Sequence, residues 1–474
     1  MSADSPARAP VRLRLLVALA FALLALLRAL TLASDPWEWD EVLFVQAVEG
    51  GFDVRVNRPH PPGYPLYVEA ARGLAALGVA PFEAATAVAG VASLAAPAGT
   101  TLLLVALGAP LAPAAFGGLF YALVPSIWIH AVRPLSDGPG AGAFLLAAAA
   151  LVRAVTRRSP RALSWGVLLS AAACCVRPQT GVMLAPVALA AAWRVVRVRG
   201  GLRALLLSLA LGSALSVAVW LPVVRGSGGW TPFVSRLSEH AGWVRQYDTQ
   251  PLGVVLTGKV QRRWWRDPFG VTELFWSAVA LSAAGAALAP RRAGALLLVL
   301  GPVVVSTVAL SWPLTAPRYV AVAMPALAGL VALGVERLAA LPRMRLPVAV
   351  VATALLGALA AVGAPRALLL SRGPTPSVAA MRALAEEPAL SGKAVVFSGE
   401  LTVHVERYLA GRRTRQAPDE GPIPLAPGEL AVTNERVPPG LVEVRSFLLE
   451  DPMLRRLTRG RYRDVRIWSK PDDL

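Results

Sequence analysis

Between Leu13 and Ala364 the chain returns eleven times to an apolar run of fifteen to twenty-four residues. Runs of that length and apolarity suit the hydrocarbon interior of a bilayer, where the backbone must satisfy its own hydrogen bonds as helix. The expected fold class is therefore all-α and polytopic. Its spans fall at roughly 13–33, 84–107, 111–130, 139–155, 162–176, 180–195, 203–223, 271–289, 293–311, 318–337 and 347–364. The first run is read as a retained span and not as a cleaved leader, because it is long and has no small-residue cleavage site. Cys174 and Cys175 are neighbours inside one run and point apart on a helix, which leaves no disulfide framework.

Charge orients this array. The formal net charge is +18. In a soluble chain such an excess would suggest nucleic acid, but here it follows the alternate loops. Arg8, Arg12 and Arg14 precede the first span. Arg153, Arg157, Arg158 and Arg161 fill one loop, and Arg194, Arg197, Arg199 and Arg203 another. Arg291 and Arg292, then Arg337, Arg343 and Arg345, complete the set of sixteen arginines, against which stand only Asp4 and Glu336. By the positive-inside rule these loops are cytoplasmic, as is the N-terminus, and the C-terminal part lies outside. No nucleic-acid partner is expected. Three lysines (Lys259, Lys393 and Lys470) beside abundant arginine and alanine point to a bacterial inner membrane.

Pro61–Val79 reads as a helix lying in the interface. Glu69 and Arg72 share one face, and Leu66, Ala70, Leu74 and Leu77 another. Counting it as a span would invert every later loop. Asp40–Gly50 reads as a second short interfacial helix closed by Gly50–Gly51. From about residue 371 the composition turns polar. Strand patterns KAVVFSG, ELAVTN, LVEVRSF and RDVRIWS, with helices in VAAMRALAEE and HVERYLAGR, predict a small outer α/β domain over 371–474, beyond a membrane domain over 1–365. The membrane domain carries two large outer loops, 34–83 and 224–270.

The spans hold no aspartate, and their glutamates, Glu273 and Glu336, sit near helix ends. A proton- or ion-coupled transporter would need carboxylates near mid-bilayer. The acids gather instead at the outer boundary, in SDPWEWDE (Ser34–Glu41) and at Asp137. So do bases: Arg58, His60, Arg133, Arg177, Arg318 and the run KVQRRWWR at 259–266. Carboxylates there suit a general base, and arginines suit a phosphate leaving group. A lipid-linked phosphosugar places its phosphate at this depth. Of the acids, Glu38 and Asp35 read as solvated, and His404 as structural. GPGAGA (138–143) lacks the lysine of a nucleotide loop and reads as small residues for close helix packing.

Four stretches carry a resemblance. WEWDEVLFVQAVEGG, NRPHPPGYPLY, a helix pair free of Lys and Arg, and RPLSDGPGAGAFLL follow one another in an order that resembles the membrane glycosyltransferases of GT-C fold. The kinship is with the protein O-mannosyltransferase and aminoarabinose transferase group (glycosyltransferase family 39-like). GVLLSAAACCVRPQTG and APRYVAVAMPALAGL resemble later turns of the same group. The resemblance implies a sugar moved from a polyprenyl-phosphate donor to a lipid, glycan or protein acceptor on the outer face, with inversion. It implies catalytic roles for Asp40, Glu41 and Asp137, with Asp40 the base. Substrate would be bound by His60, Arg133, Arg177, Arg318 and Tyr319. Asp137 would order its loop, pair with Arg133 or, with Asp40, hold a divalent metal such as Mg or Mn. The chain departs from the group in lacking a clear Asp-x-Asp, which Glu38-Trp39-Asp40 only approximates. Loop 224–270 and the C-terminal domain match nothing in the group residue by residue. Two rival readings are a flippase or transporter of lipid-linked substrate, and a membrane scaffold displaying the α/β domain.

Overall fold

The structure is a computed structural model that describes residues 10–248, 265–310, 317–458 and 462–473. Apolar runs become helices throughout. In chain order these are α1 (Val11–Ala29), α2 (Trp39–Gly50), α3 (Pro65–Ala76), α4 (Pro81–Ser93), α5 (Ala95–Ala106), α6 (Leu111–Leu123) and α7 (Pro125–Ala131). Then come α8 (Asp137–Arg157), α9 (Pro160–Val176), α10 (Thr180–Val195), α11 (Gly201–Gly226), α12 (Trp230–Trp243), α13 (Thr272–Leu288), α14 (Pro290–Leu310), α15 (Met324–Ala339) and α16 (Arg345–Arg372). Each of the eleven expected spans has a helix or a broken helix at its place. By length and composition alone, four described helical stretches are long and apolar enough to cross a membrane: α4 with α5, α8, α11 and the stretch from α16 onward. The count rises to six if two bent pairs each make one span, α6–α7 at 71° and α13–α14 at 114°.

The segment read as interfacial is helix α3, twelve residues and so about 18 Å long, too short to cross. Its Glu69–Arg72 pair stands at 3.4 Å. Tyr67, Val68 and Ala71 face the protein, while Ala70 and Leu77 on the apolar stripe are exposed. Helix α2 ends where the paired glycines predict, with Gly51 at φ +80°, a conformation glycine adopts without strain.

One end of the bundle collects the acids. Asp137 opens α8, and Arg157 closes it at the end of 21 residues, roughly 30 Å away. At the far end Arg292 pairs with Glu336 at 2.6 Å and approaches Gly108. Small residues let the helices close up. A Cβ on Gly142 would meet Ala95 at 2.8 Å, and one on Gly99 would meet Leu145 at 2.7 Å. The GPGAGA stretch is thus a packing surface within α8.

Beyond α16 the chain forms α17 (Pro376–Glu386), β1 (Val395–Phe397), α18 (Thr402–Tyr408), β2 (Thr414–Gln416), β3 (Leu430–Asn434), β4 (Val442–Leu448), α19 (Pro452–Thr458) and β5 (Asp464–Ser469). The sheet order is β2-β1-β3-β5-β4, parallel on the β2-β1-β3 side and antiparallel on the other. Four strands lie where alternation places them. The edge strand β2 is three exposed residues, TRQ, with no apolar pattern to announce it. α16 runs through Pro365 without a break, so one helix joins the bundle to this unit. Trp37, Trp128, Ile129, Met381, Val395, Val432 and Ile467 form one apolar cluster across the join.

Candidate functional site

Asp40 and Glu41 sit in the first turn of α2, where the positive end of the helix dipole favours acids. That alone would explain them. Their surroundings go further. Arg318 lies in the short helical stretch Pro317–Val322 just before α15. Its guanidinium holds Glu38 at 2.8 Å, pairs closely with Asp40 and donates to the Tyr319 hydroxyl at 3.0 Å. Arg133, in the turn between α7 and α8, pairs closely with Glu41 and reaches Glu38 at 3.5 Å. Its guanidinium lies 4.9 Å from the centre of the Trp37 ring. Glu38 therefore bridges two arginines from distant parts of the chain.

Arg177 follows α9 in an extended conformation, fixed by its amide to Ala173 O and by the Thr180 hydroxyl on its carbonyl. It meets Asp137 at 3.1 Å and Ser136 Oγ at 3.2 Å, and it covers the Tyr64 ring at 5.7 Å. Gly140 makes the room: a Cβ there would lie 2.8 Å from Arg177 Cδ. His60 stands with Nδ1 3.6 Å from Asp40 and Nε2 2.8 Å from the Tyr64 hydroxyl. On its outer side the His240 ring from α12 lies 6.0 Å away, itself stacked on Trp243.

The structure thus brings Asp40, His60, Arg318 and Tyr319 together, with Glu41 and Arg133 behind them and the Asp137–Arg177 pair alongside. Asp137 pairs with Arg177 and not with Arg133. Two expectations are corrected. Glu38 and Asp35, read as solvated acids, are both buried: Glu38 between two guanidinium groups, and Asp35 against Arg382 at 2.5 Å. The reason is that their partners come from far along the chain: Arg133 and Arg318 for Glu38, and Arg382 for Asp35. Sequence reasoning also missed Ser136, Tyr64 and His240. Spacing was the available signal for Tyr64, which follows the chosen His60 by four residues. The run at 259–264 lies outside the described residues.

Electrostatics divides the acids. Burial pushes the Asp40 carboxyl up, but Arg318, helped by His60 and Arg177, outweighs it and holds the group down at about 2. Glu41 moves the other way, because full burial outweighs the pull of Arg133 and Glu38 adds repulsion. Burial lowers His60 despite Asp40, and lowers His240 as well. Among the described residues, no three His, Cys, Asp or Glu side chains converge to hold a metal. Asp40 and Asp137, the carboxylates singled out for one, each face an arginine instead. Among the described residues, these two carboxylates are engaged by arginines and form no metal site as they stand.

A helical bundle, short helices in its first long loop and a small α/β unit over the same end make up a fold found also among solved structures. No protein-family profile matches the chain, and no curated protein does. Among solved structures, ArnT from Cupriavidus metallidurans in the apo state shares the fold with a TM-score of 0.53 at 15% identity, over 95% of this chain and 97% of that one. The Archaeoglobus fulgidus oligosaccharyltransferase in complex with Zn and sulfate scores 0.49 at 13% identity, over 88% and 68%. ArnT bound to undecaprenyl phosphate scores 0.48 at 15% identity, over 97% and 98%.

Proposed function

We propose that this chain is an integral membrane glycosyltransferase. It moves a sugar from a polyprenyl-phosphate donor to a hydroxyl or amine of a lipid, glycan or protein acceptor, at the outer face of a bacterial inner membrane. The N-terminus is cytoplasmic in this reading and the α/β unit is outside. The observation that carries the proposal is the partly accessible Asp40 carboxylate, flanked by His60 and bound by Arg318, which also holds Glu38.

A carboxylate held at about 2 is a weak base. The reaction itself removes the restraint. The acceptor O–H or N–H attacks the anomeric carbon as the bond from that carbon to the phosphate oxygen breaks. The phosphodiester, with one negative charge, departs as a phosphate monoester with two. Arg318 follows the growing charge, with Arg177 nearby, by charge-assisted bonds that strengthen as the bond breaks. Asp40, released from Arg318, becomes basic enough to receive the acceptor proton. Attack from the side opposite the leaving group inverts the centre. Glu41, sealed behind Arg133 and accepting from the Trp37 amide at 2.6 Å, holds the cluster in shape. Asp137 orients Arg177. No step is assigned to a metal.

A flippase or coupled transporter would need acids part-way along its spans. Within the described bundle helices the acids are Glu83, Asp137, Glu273 and Glu336, each in a first or last turn. The deciding experiment is sugar transfer from a polyprenyl-phosphate donor by the purified protein beside Asp40→Asn. Undiminished transfer by a folded variant removes the base from the proposal. No transfer by the wild type across donors and acceptors removes the reaction.

A further inference from the structure

The stretch Ser34–Trp37, which leads from α1 into the acid-bearing helix α2, is held chiefly by the C-terminal unit and the end of α16. Ser34 donates to Gly373 O at 3.1 Å, and the Thr375 hydroxyl donates to Pro36 O at 2.9 Å. Arg382 binds Asp35 at 2.5 Å. At the far end of α2, Arg407 grips Glu49 with two bonds of 2.7 and 2.8 Å, and Val403 packs on Val42 and Leu43.

Trp37 is the centre of this junction. Its indole N–H donates to Tyr462 O at 3.0 Å, its carbonyl lies 3.2 Å from His404 Nε2, and its amide donates to Glu41 at 2.6 Å. Its ring carries the Arg133 guanidinium. A rotation of Trp37 would displace Glu41 and Arg133, and through their shared Glu38 would displace Arg318 from Asp40. His404 is fully buried, its ring 5.1 Å from Tyr462. Bonding to a carbonyl requires a proton on Nε2, so the ring acts here as a donor.

We infer that the C-terminal α/β unit is a clamp that positions the acids of the site, and that His404 is its positioning residue, acting through Trp37. The inference rests on the reading of Asp40 as the base, and it gives the unit a role other than acceptor recognition.

The test uses the full chain in lipid nanodiscs with two readouts. The first is amide hydrogen exchange over residues 38–46, which is independent of activity. The second is kcat and donor KM in the transfer assay. His404→Leu fills the site without a donor. It should speed exchange over 38–46 by about ten-fold and lower kcat by about a hundred-fold, with donor KM little changed. His404→Gln, whose amide reaches the same carbonyl, should restore both. Unchanged exchange in a folded His404→Leu overturns the clamp, as does a loss confined to KM. If that variant does not fold, Arg382→Gln with Arg407→Gln loosens the same segment from its surface; wild-type exchange in that pair overturns the clamp equally. Faster exchange in a protein whose wild type transfers no sugar upholds the clamp and rejects the reaction.

Discussion

Asp40 and Glu41 are neighbours in sequence, yet they belong to two different regions of one ion network. The Asp40–Arg318 side is open: the Asp40 side chain keeps 25% of its surface accessible and has a titratable ring beside it. The Glu41–Arg133 side is sealed, with Glu41 at 0% and Arg133 at 1%. A step of one residue turns the helix by about 100°, and that turn separates a carboxylate a substrate can touch from one it cannot. Glu38 belongs to both sides and couples them. Residue type does not distinguish the two roles. Access does, because a sealed ion pair keeps its partner and an open one can trade it.

The largest effect should come from the open side. Asp40→Asn should lower transfer by roughly a hundred- to ten-thousand-fold while leaving thermal unfolding near the wild-type value. On the sealed side the order reverses. Glu41→Ala strands the Arg133 charge and should cost about 3–5 kcal/mol of stability, read by unfolding in detergent; a variant that stays stable but inactive would mean that Glu41 meets substrate.

The sealed side extends to His404, which burial lowers to about 4. Its unfolded value is near 6.5, so between these values the unfolded chain binds the extra proton and stability rises with pH. The contribution is present above 6.5 and is lost as pH falls toward 4. The stability difference between wild type and His404→Gln should therefore change by about 3 kcal/mol over that window. Gly140→Ala should push Arg177 off Asp137 and raise the donor KM by about ten-fold, which sharpens the open region by adding a member to it. The smallest effect belongs to an exposed pair far from both regions. Glu429→Gln breaks its 2.7 Å contact with Arg415 and should change stability by less than about 1 kcal/mol.

Much of this was legible in the sequence, because the legible parts are local. Apolar runs give the helices, Gly50–Gly51 the end of α2, and Glu69 with Arg72 the interfacial α3. Asp40, Asp137, Arg177 and Arg318 stood out because they gather at one set of span ends and lie in the stretches that carry the family resemblance. What was not legible depended on partners far along the chain. Glu38 looks like one more acid in SDPWEWDE until Arg133 and Arg318 close on it. Asp35 looks solvated until Arg382 arrives, and His404 gives no hint that it reaches Trp37. The strand β2, without alternation, exists because β1 offers it an edge.

The pre-pairing of every arginine in the cluster also sets what the site, under the proposed reaction, would ignore. Free phosphate and lipid headgroups are abundant at any membrane surface, and naked guanidinium groups would collect them. Here each such visitor finds the cation already engaged and must evict a carboxylate using its charge alone. A ligand whose hydrocarbon tail is independently held by the bilayer has anchorage to spare for that eviction. Discrimination against abundant small anions thus follows from internal occupancy, without any dedicated barrier at the entrance.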